Sequence, residues 1–203
     1  PFFCVAQDLS FKGFSNCKHP DELSGTYVNR DNHLSQLFGI KSELVYFIHL
    51  DFSEENTLRL TYETDEGLKN ISFEGKFKGD FFEIYFSKKL IPIPLFFIKD
   101  TERIRIGCDE KSDLLIQYYQ DSMGWVLFLA GGSTREDATS FQNIRNFKGL
   151  KPVFVNNLLG FTNNVGDFVV QPQYDFVEFF NHSVSRVKKK DKWGLINEEG
   201  VVL

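Results

Sequence analysis

Leu159-Gly160-Phe161-Thr162-Asn163, with Gly166 three residues on, recurs as Trp193-Gly194-Leu195-Ile196-Asn197, with Gly200 three residues on. The offset is 34 residues at every one of these positions. Self-similarity at a fixed period of this size marks supersecondary units that stack on one another. Between the copies runs Gln171-Pro172-Gln173-Tyr174-Asp175-Phe176, followed by an apolar stretch and the basic run Arg186, Lys188, Lys189, Lys190 and Lys192. The glycines permit tight turns, and Trp193 supplies a large apolar anchor. Each unit can bury its inner face only against a neighbour. Trp193 is therefore expected to lie largely buried between adjacent units, with Tyr174 near the equivalent step. The rival expectation is an exposed Trp193 that contacts a partner or a sugar directly.

The Pro172-Gln173-Tyr174-Asp175 segment ahead of a basic turn and Lys192-Trp193-Gly194 resembles the WG-repeat family over about 157–203. The first copy departs from that pattern with Leu159 in the tryptophan position, as terminal units of repeat arrays often do. The resemblance implies β-hairpins stacked into a module at 148–203. Its defining residues would be Leu159, Gly160, Gly166, Pro172, Tyr174, Asp175, Trp193, Gly194 and Gly200. The sequence stops at Val201-Val202-Leu203, where another Pro-x-Tyr-Asp would be due, so the module reads as one that continues.

Upstream, the pattern changes to short alternating runs. Leu58, Leu60 and Tyr62 alternate with Arg59, Thr61 and Glu63, and Ile71, Phe73 and Phe77 alternate with Ser72, Glu74, Lys76 and Lys78. This is the period of half-buried strands. Further strands are expected at 25–30, 44–52, 81–87, 102–108, 113–120 and 124–130, with a two-residue hairpin loop at Gly79-Asp80 and a turn at 121–124. Eight sequential strands can close into an up-and-down barrel. Ser133-x-x-Glu136 forms a capping box ahead of Ala138, Phe141 and Ile144, which predicts a helix over about 134–146. A short helix over Asp31–Phe38 is a further expectation. The fold class read here is all-β: an eight-stranded barrel at 25–147 with a trailing helix, then the repeat hairpins. That order of elements is similar to the lipocalin-like barrels, although Gly25-Thr26-Tyr27 has tyrosine where lipocalins carry tryptophan. The resemblance implies a carrier of a small apolar ligand, with Phe82, Ile84, Phe86, Leu127 and Leu129 facing the lumen.

Pro1-Phe2-Phe3-Cys4-Val5-Ala6 is apolar and gives way abruptly to Asp8 and the mixed segment that follows. It reads as the tail of a signal peptide, so that 1–6 would be removed, the mature chain would start at Gln7, and 7–24 would be an N-terminal segment. The alternative is an ordinary buried strand. Export places the protein in the periplasm, at the outer membrane or outside the cell. Cys17 and Cys108 are then the pair left in an oxidising compartment, and a disulfide between them is expected, two unpaired cysteines being the alternative. The cysteine spacing is not that of a zinc site, and no cofactor is expected.

The chain has 203 residues, 42% of them hydrophobic and 25% charged, with 23 phenylalanines and a net charge of -5. Such an acidic balance argues against a nucleic-acid partner. Basic and acidic residues balance from 149 onward, so the negative excess lies in the preceding part. No apolar run approaches the roughly 20 residues that span a bilayer as a helix. Signatures of hydrolase, metalloprotease, phosphate-loop and dinucleotide enzymes do not occur. The one local pair with catalytic chemistry is His49 with Asp51, two apart on one strand, where a carboxylate could orient an imidazole. Ile91, Ile93, Leu95, Phe96 and Phe97 surround two prolines and are expected on an edge strand or loop, as a candidate contact for a partner or ligand together with Phe82 and Phe86. The basic run is expected at a solvated hairpin tip. Three functions follow in order: a non-catalytic binding or scaffold protein whose partner is another envelope or secreted protein, a carrier of an apolar molecule, and a cell-envelope hydrolase.

Overall fold

The structure is a computed structural model and describes residue 14 and residues 20–41, 44–93, 96–126 and 129–203. The segment with the expected signal remnant lies outside them, as do Cys4, Cys17, Leu95 and Leu127. After the helical turn α1 (Pro20–Leu23) come β1 (Gly25–Val28), α2 (His33–Leu37), β2 (Phe47–Asp51), β3 (Thr57–Thr64) and β4 (Gly67–Lys78). Four long strands follow: β5 (Phe81–Ile93), β6 (Phe96–Cys108), β7 (Leu114–Val126) and β8 (Leu129–Phe141). The short helix expected over Asp31–Phe38 is present as α2 with the 3-10 turn Arg30–Asn32 before it.

The eight strands pair in chain order, so the meander is as expected and Gly79-Asp80 forms its hairpin loop. The barrel is not. β1 and β8 are the two edges of an open sheet. An eight-stranded barrel fills its interior with side chains that alternate inward along every strand, and β8, Leu-Ala-Gly-Gly-Ser-Thr-Arg-Glu-Asp-Ala-Thr-Ser-Phe, is exposed over nearly its whole length. A lumen is accordingly absent among the described residues. Phe82 and Ile84 are packed core, whereas Phe86 is 37% and Leu129 81% exposed.

By contacts the chain forms two compact units that interleave in sequence. One includes Phe52–Leu58 and Phe73–Ser140. Its core gathers at one end of the long strands, where Phe82 meets Phe52 at 5.2 Å and Phe77 at 4.9 Å between ring centroids, beside buried Ile84, Ile104, Ile106 and Ile116. The opposite face of the same strands carries a charged cluster. Glu83, whose side chain is fully buried, accepts from Arg103 Nη1 at 3.2 Å and Arg105 Nε at 3.0 Å, and also from Lys78 Nζ. Burial pushes its carboxyl up, but the hydrogen bonds from Lys78, Arg105 and Tyr85 and the charge of Arg103 outweigh this and hold it below the usual carboxylate range.

Two local expectations in this unit fail for a shared reason. The segment 121–124 is not a turn but the interior of β7, and 134–141 is not a helix but β8. Their polar side chains are satisfied sideways, strand to strand. Asp121 accepts from Lys99 Nζ at 2.7 Å and Thr134 Oγ1 at 3.1 Å, Ser122 Oγ donates to Asp100 at 2.7 Å, and Ser140 Oγ donates to Asp109 at 2.6 Å. Three apolar residues at a spacing of three do not outweigh such a ladder. Only the 3-10 turn Ile144–Asn146 remains of the helix, capped by Asn143, whose Oδ1 accepts from Arg145 N. Ile91 and Ile93 lie in β5 and Phe96 and Phe97 in β6: Ile91 pairs Ile98 and Pro92 pairs Phe97. β4 meets β5 only from Phe81 to Ile84, so Pro92 sits on a stretch whose other side carries no ladder among the described residues, where a missing N–H costs nothing.

The second unit comprises Gly25–Asp51, Arg59–Ser72 and Phe141–Leu203. It holds two three-stranded sheets, β9 (Lys151–Val155), β10 (Leu158–Thr162) and β11 (Phe168–Tyr174) in one, and β12 (Phe176–Val177), β13 (Val184–Lys189) and β14 (Lys192–Asn197) in the other. Their apolar residues share a cluster that includes Tyr46, Leu159, Phe161, Tyr174, Val177 and Ile196.

Candidate functional site

The repeat is visible as backbone geometry. Val155 pairs Leu158 across the two-residue turn Asn156-Asn157, and 34 residues on Lys189 pairs Lys192 across Lys190-Asp191. All four turn residues have positive φ, 49° and 63° in the first turn, 46° and 61° in the second, as the hairpin turn that matches strand twist requires. Asn tolerates this backbone, and the Asn-Asn pair was the sequence signal that would have extended the first copy back to β9. The second shared device is an Asx turn. Asn163 Oδ1 accepts from the backbone N–H of Val165, Gly166 and Asp167, each at 2.9 Å. Asn197 Oδ1 accepts from Glu199 at 3.1 Å and Val201 at 2.8 Å. Gly166 and Gly200 close these turns at φ 103° and 82°, a region open to glycine.

The Pro-x-Tyr-Asp segment links the copies. Asp175 Oδ2 accepts from Lys190 N at 2.7 Å and so braces the tip of the second hairpin. Tyr174 is buried, as expected, in the shared cluster. Sequence reading missed Tyr46, which lies buried there and donates its hydroxyl to Val177 O at 2.7 Å. Burial raises its phenol well above the ordinary range.

Residues 160–193 match the family model described as WG containing repeat.

The WG-repeat reading is therefore supported over this stretch. No curated protein matches it, and no solved structure does.

Within the WG repeats, the expected burial of Trp193 is overturned. The indole is 54% exposed, on a face shared with Leu195 at 46%, while their counterparts Leu159 and Phe161 are fully buried. Trp193 is nevertheless held in place. Phe176 packs edge-on at 5.5 Å, and the Arg186 guanidinium lies 4.6 Å over the ring, itself bonded by Nε to Glu178 at 3.0 Å. The two glycines differ in the same sense. A Cβ on Gly160 would come within 2.4 Å of Val170 O and 2.7 Å of Pro172 N, whereas one on Gly194 would meet nothing within 4 Å.

The basic run is spread over β13, its tip and β14. Lys188 pairs with Asp191 at 3.1 Å and Lys189 Nζ donates to Gln173 at 2.8 Å, while Lys190 sits at the tip. His49 and Asp51 do share an exposed side of β2, but the imidazole partner is Thr26 Oγ1, 3.1 Å from Nδ1. Of the proline-flanked apolar residues, Ile91, Phe96 and Phe97 are half-buried. Cys108 is buried at the end of β6. Among the described residues no cluster of His, Cys, Asp and Glu could hold a metal, and no helix is long and apolar enough to cross a membrane.

Proposed function

We propose that this chain is a non-catalytic binding protein that works outside the cytoplasm through protein–protein contacts of its WG repeats, with another exported protein as partner. The observation that carries this reading is Trp193, half-exposed yet positioned by Phe176 and Arg186. Trp and Arg dominate the energetics of protein interfaces, and an ordered, preassembled aromatic patch loses little entropy when covered. The proposed Cys17–Cys108 disulfide and the start of the mature chain at Gln7 belong to the same reading, since both require export.

The test is affinity capture from the native envelope, comparing the wild type with Trp193→Ala/Leu195→Ala. A stoichiometric protein partner lost in the double variant, with the chain still folded and unfolding cooperatively, supports the reading. A partner retained equally by both overturns it. Mass spectrometry of the extracted protein, non-reduced, reads the disulfide and the first residue together. An intact Pro1–Ala6 segment would remove the export proposal.

A further inference from the structure

We propose that the end of the long strands away from the Phe82 core seats this protein on a membrane surface rich in anionic phospholipid. The site lies in the unit with the long strands and is separate from the repeat contacts.

Charge and polarity change along β5 to β8. Residues 87–99 and 122–135 hold four cations, Lys88, Lys89, Lys99 and Arg135, and no acidic residue, in a chain whose net charge is -5. Between those cations, Leu90 to Ile98 and Val126 to Ala130 carry only apolar side chains. Strand pairing sorts the described residues of this end onto two faces. Pro92 and Trp125 both pair Phe97, and Leu90 and Met123 both pair Lys99, so these apolar residues share one face. Ile91, across from Ile98, and Phe96, two residues before Ile98, share the other. Leu90, Pro92 and Met123 are exposed and the remainder half-buried, whereas at the other end of the same strands Phe82, Ile84, Ile104 and Ile106 are sealed.

An apolar zone on both faces of a single sheet selects the occupant. A folded partner covers one face, while a fluid lipid surface closes around both faces and the leading edge together. The zone from Leu90 to Ile93 is about 10 Å of strand, the depth of the boundary between headgroups and acyl chains and short of the roughly 15 Å of half a bilayer core. Deeper insertion would strand backbone groups on the open side of β5, and Pro92 brings no N–H to this zone. Trp125 is the residue type that settles at such a boundary. Directly behind the zone stands one exposed lysine per face, Lys88 on the side of Phe97 and Lys89 on the side of Ile98. The acidic groups of the same rows are already engaged. Asp100 accepts from Ser87 at 3.1 Å and Ser122 at 2.7 Å, and Asp121 from Lys99 at 2.7 Å and Thr134 at 3.1 Å. Lys88 and Lys89 therefore meet anionic headgroups at the level where the apolar zone ends.

The test is co-flotation of the full chain with phosphatidylcholine vesicles, with and without about 30% phosphatidylglycerol. The anionic vesicles should carry the chain, and affinity should fall about tenfold or more on the neutral ones or in Lys88→Glu/Lys89→Glu. Leu90→Ser/Met123→Ser, at exposed positions, should stay folded and lose about tenfold or more on the anionic vesicles. Trp193→Ala/Leu195→Ala should bind them as the wild type does, and its remaining indole, Trp125, should shift its emission to shorter wavelength. The proposal is overturned by no flotation at about 1 mM anionic lipid, by equal binding to both vesicles, by undiminished binding of either tip variant, or by an unmoved Trp125 emission. Loss of vesicle binding in Trp193→Ala/Leu195→Ala would move the contact to the repeats and overturn it as well. A protein captured through Leu90 and Met123, with no vesicle binding, would replace the lipid surface while leaving the repeat reading standing.

Discussion

The two copies of the repeat share their turns and differ in their burial. Asn156-Asn157 and Lys190-Asp191 take the same backbone, and Asn163 and Asn197 each gather the amides two and four residues on. Yet Leu159 and Phe161 are sealed while Trp193 and Leu195 are half-open, and Gly160 is crowded while Gly194 is free. Local hydrogen bonding within a unit sets its hairpin and its Asx turn. Which of its faces becomes core is decided by the neighbour that lies on it. A residue's position in a repeat therefore predicts its backbone better than its environment.

Four experiments press on this contrast. Gly160→Val should give the largest effect, because the added atoms meet backbone that cannot move aside. A loss of about 3 kcal/mol or more in urea unfolding is expected, against about 0.5 kcal/mol or less for Gly194→Val. Leu159→Ala should cost about 2 to 5 kcal/mol as a core truncation. Trp193→Ala removes one ring face packed by Arg186 and should cost about 1 kcal/mol. Equal losses at the two positions would show that the second copy is as enclosed as the first. Asn163→Ala and Asn197→Ala should each cost about 1 kcal/mol, and here the copies should agree, since both turns are self-contained.

The smallest effect separates the two compact units by pH. The carboxyl of Glu83 titrates below its unfolded value, so its stabilisation is complete above about pH 4.3 and is lost as pH falls through the depressed value. Asp121, held low by Lys99, acts in the same direction. The unit with the long strands should therefore loosen first in acid, with the amides of β5 to β7 exchanging before those of β10. Glu83→Gln should remove much of that pH dependence.

Much of this architecture was legible because it is local. Alternation of Leu58 and Leu60 with Arg59, the Gly79-Asp80 loop and the 34-residue offset are each written in a few neighbouring residues. The failures concern side chains satisfied at a distance. Ser133-x-x-Glu136 spells a helix cap, but Thr134 and Ser140 find Asp121 and Asp109 across the sheet. Strand count similarly says nothing about closure when the last strand has no apolar face to turn inward. For the site, the WG pattern located Trp193, Gly194 and Asp175. It did not give the openness around Trp193, which depends on what packs against the second copy, nor Tyr46, whose bond to Val177 spans 131 residues.

Glu83 carries a further consequence for how the long strands find one another. Its neighbours Phe82 and Ile84 point to the opposite side, where Ile104 and Ile106 are buried. If β5 slipped by a single residue against β6, every side chain would change sides. Phe82 and Ile84 would then face Arg103 and Arg105, and the carboxylate would lie among isoleucines with no cation in reach. An unpaired buried charge costs about 3 to 5 kcal/mol, enough to make the slipped sheet the rarer one. In strands of 13 residues with few other landmarks, one acidic side chain thus serves as an alignment mark that tells the correct pairing from its nearest misprint.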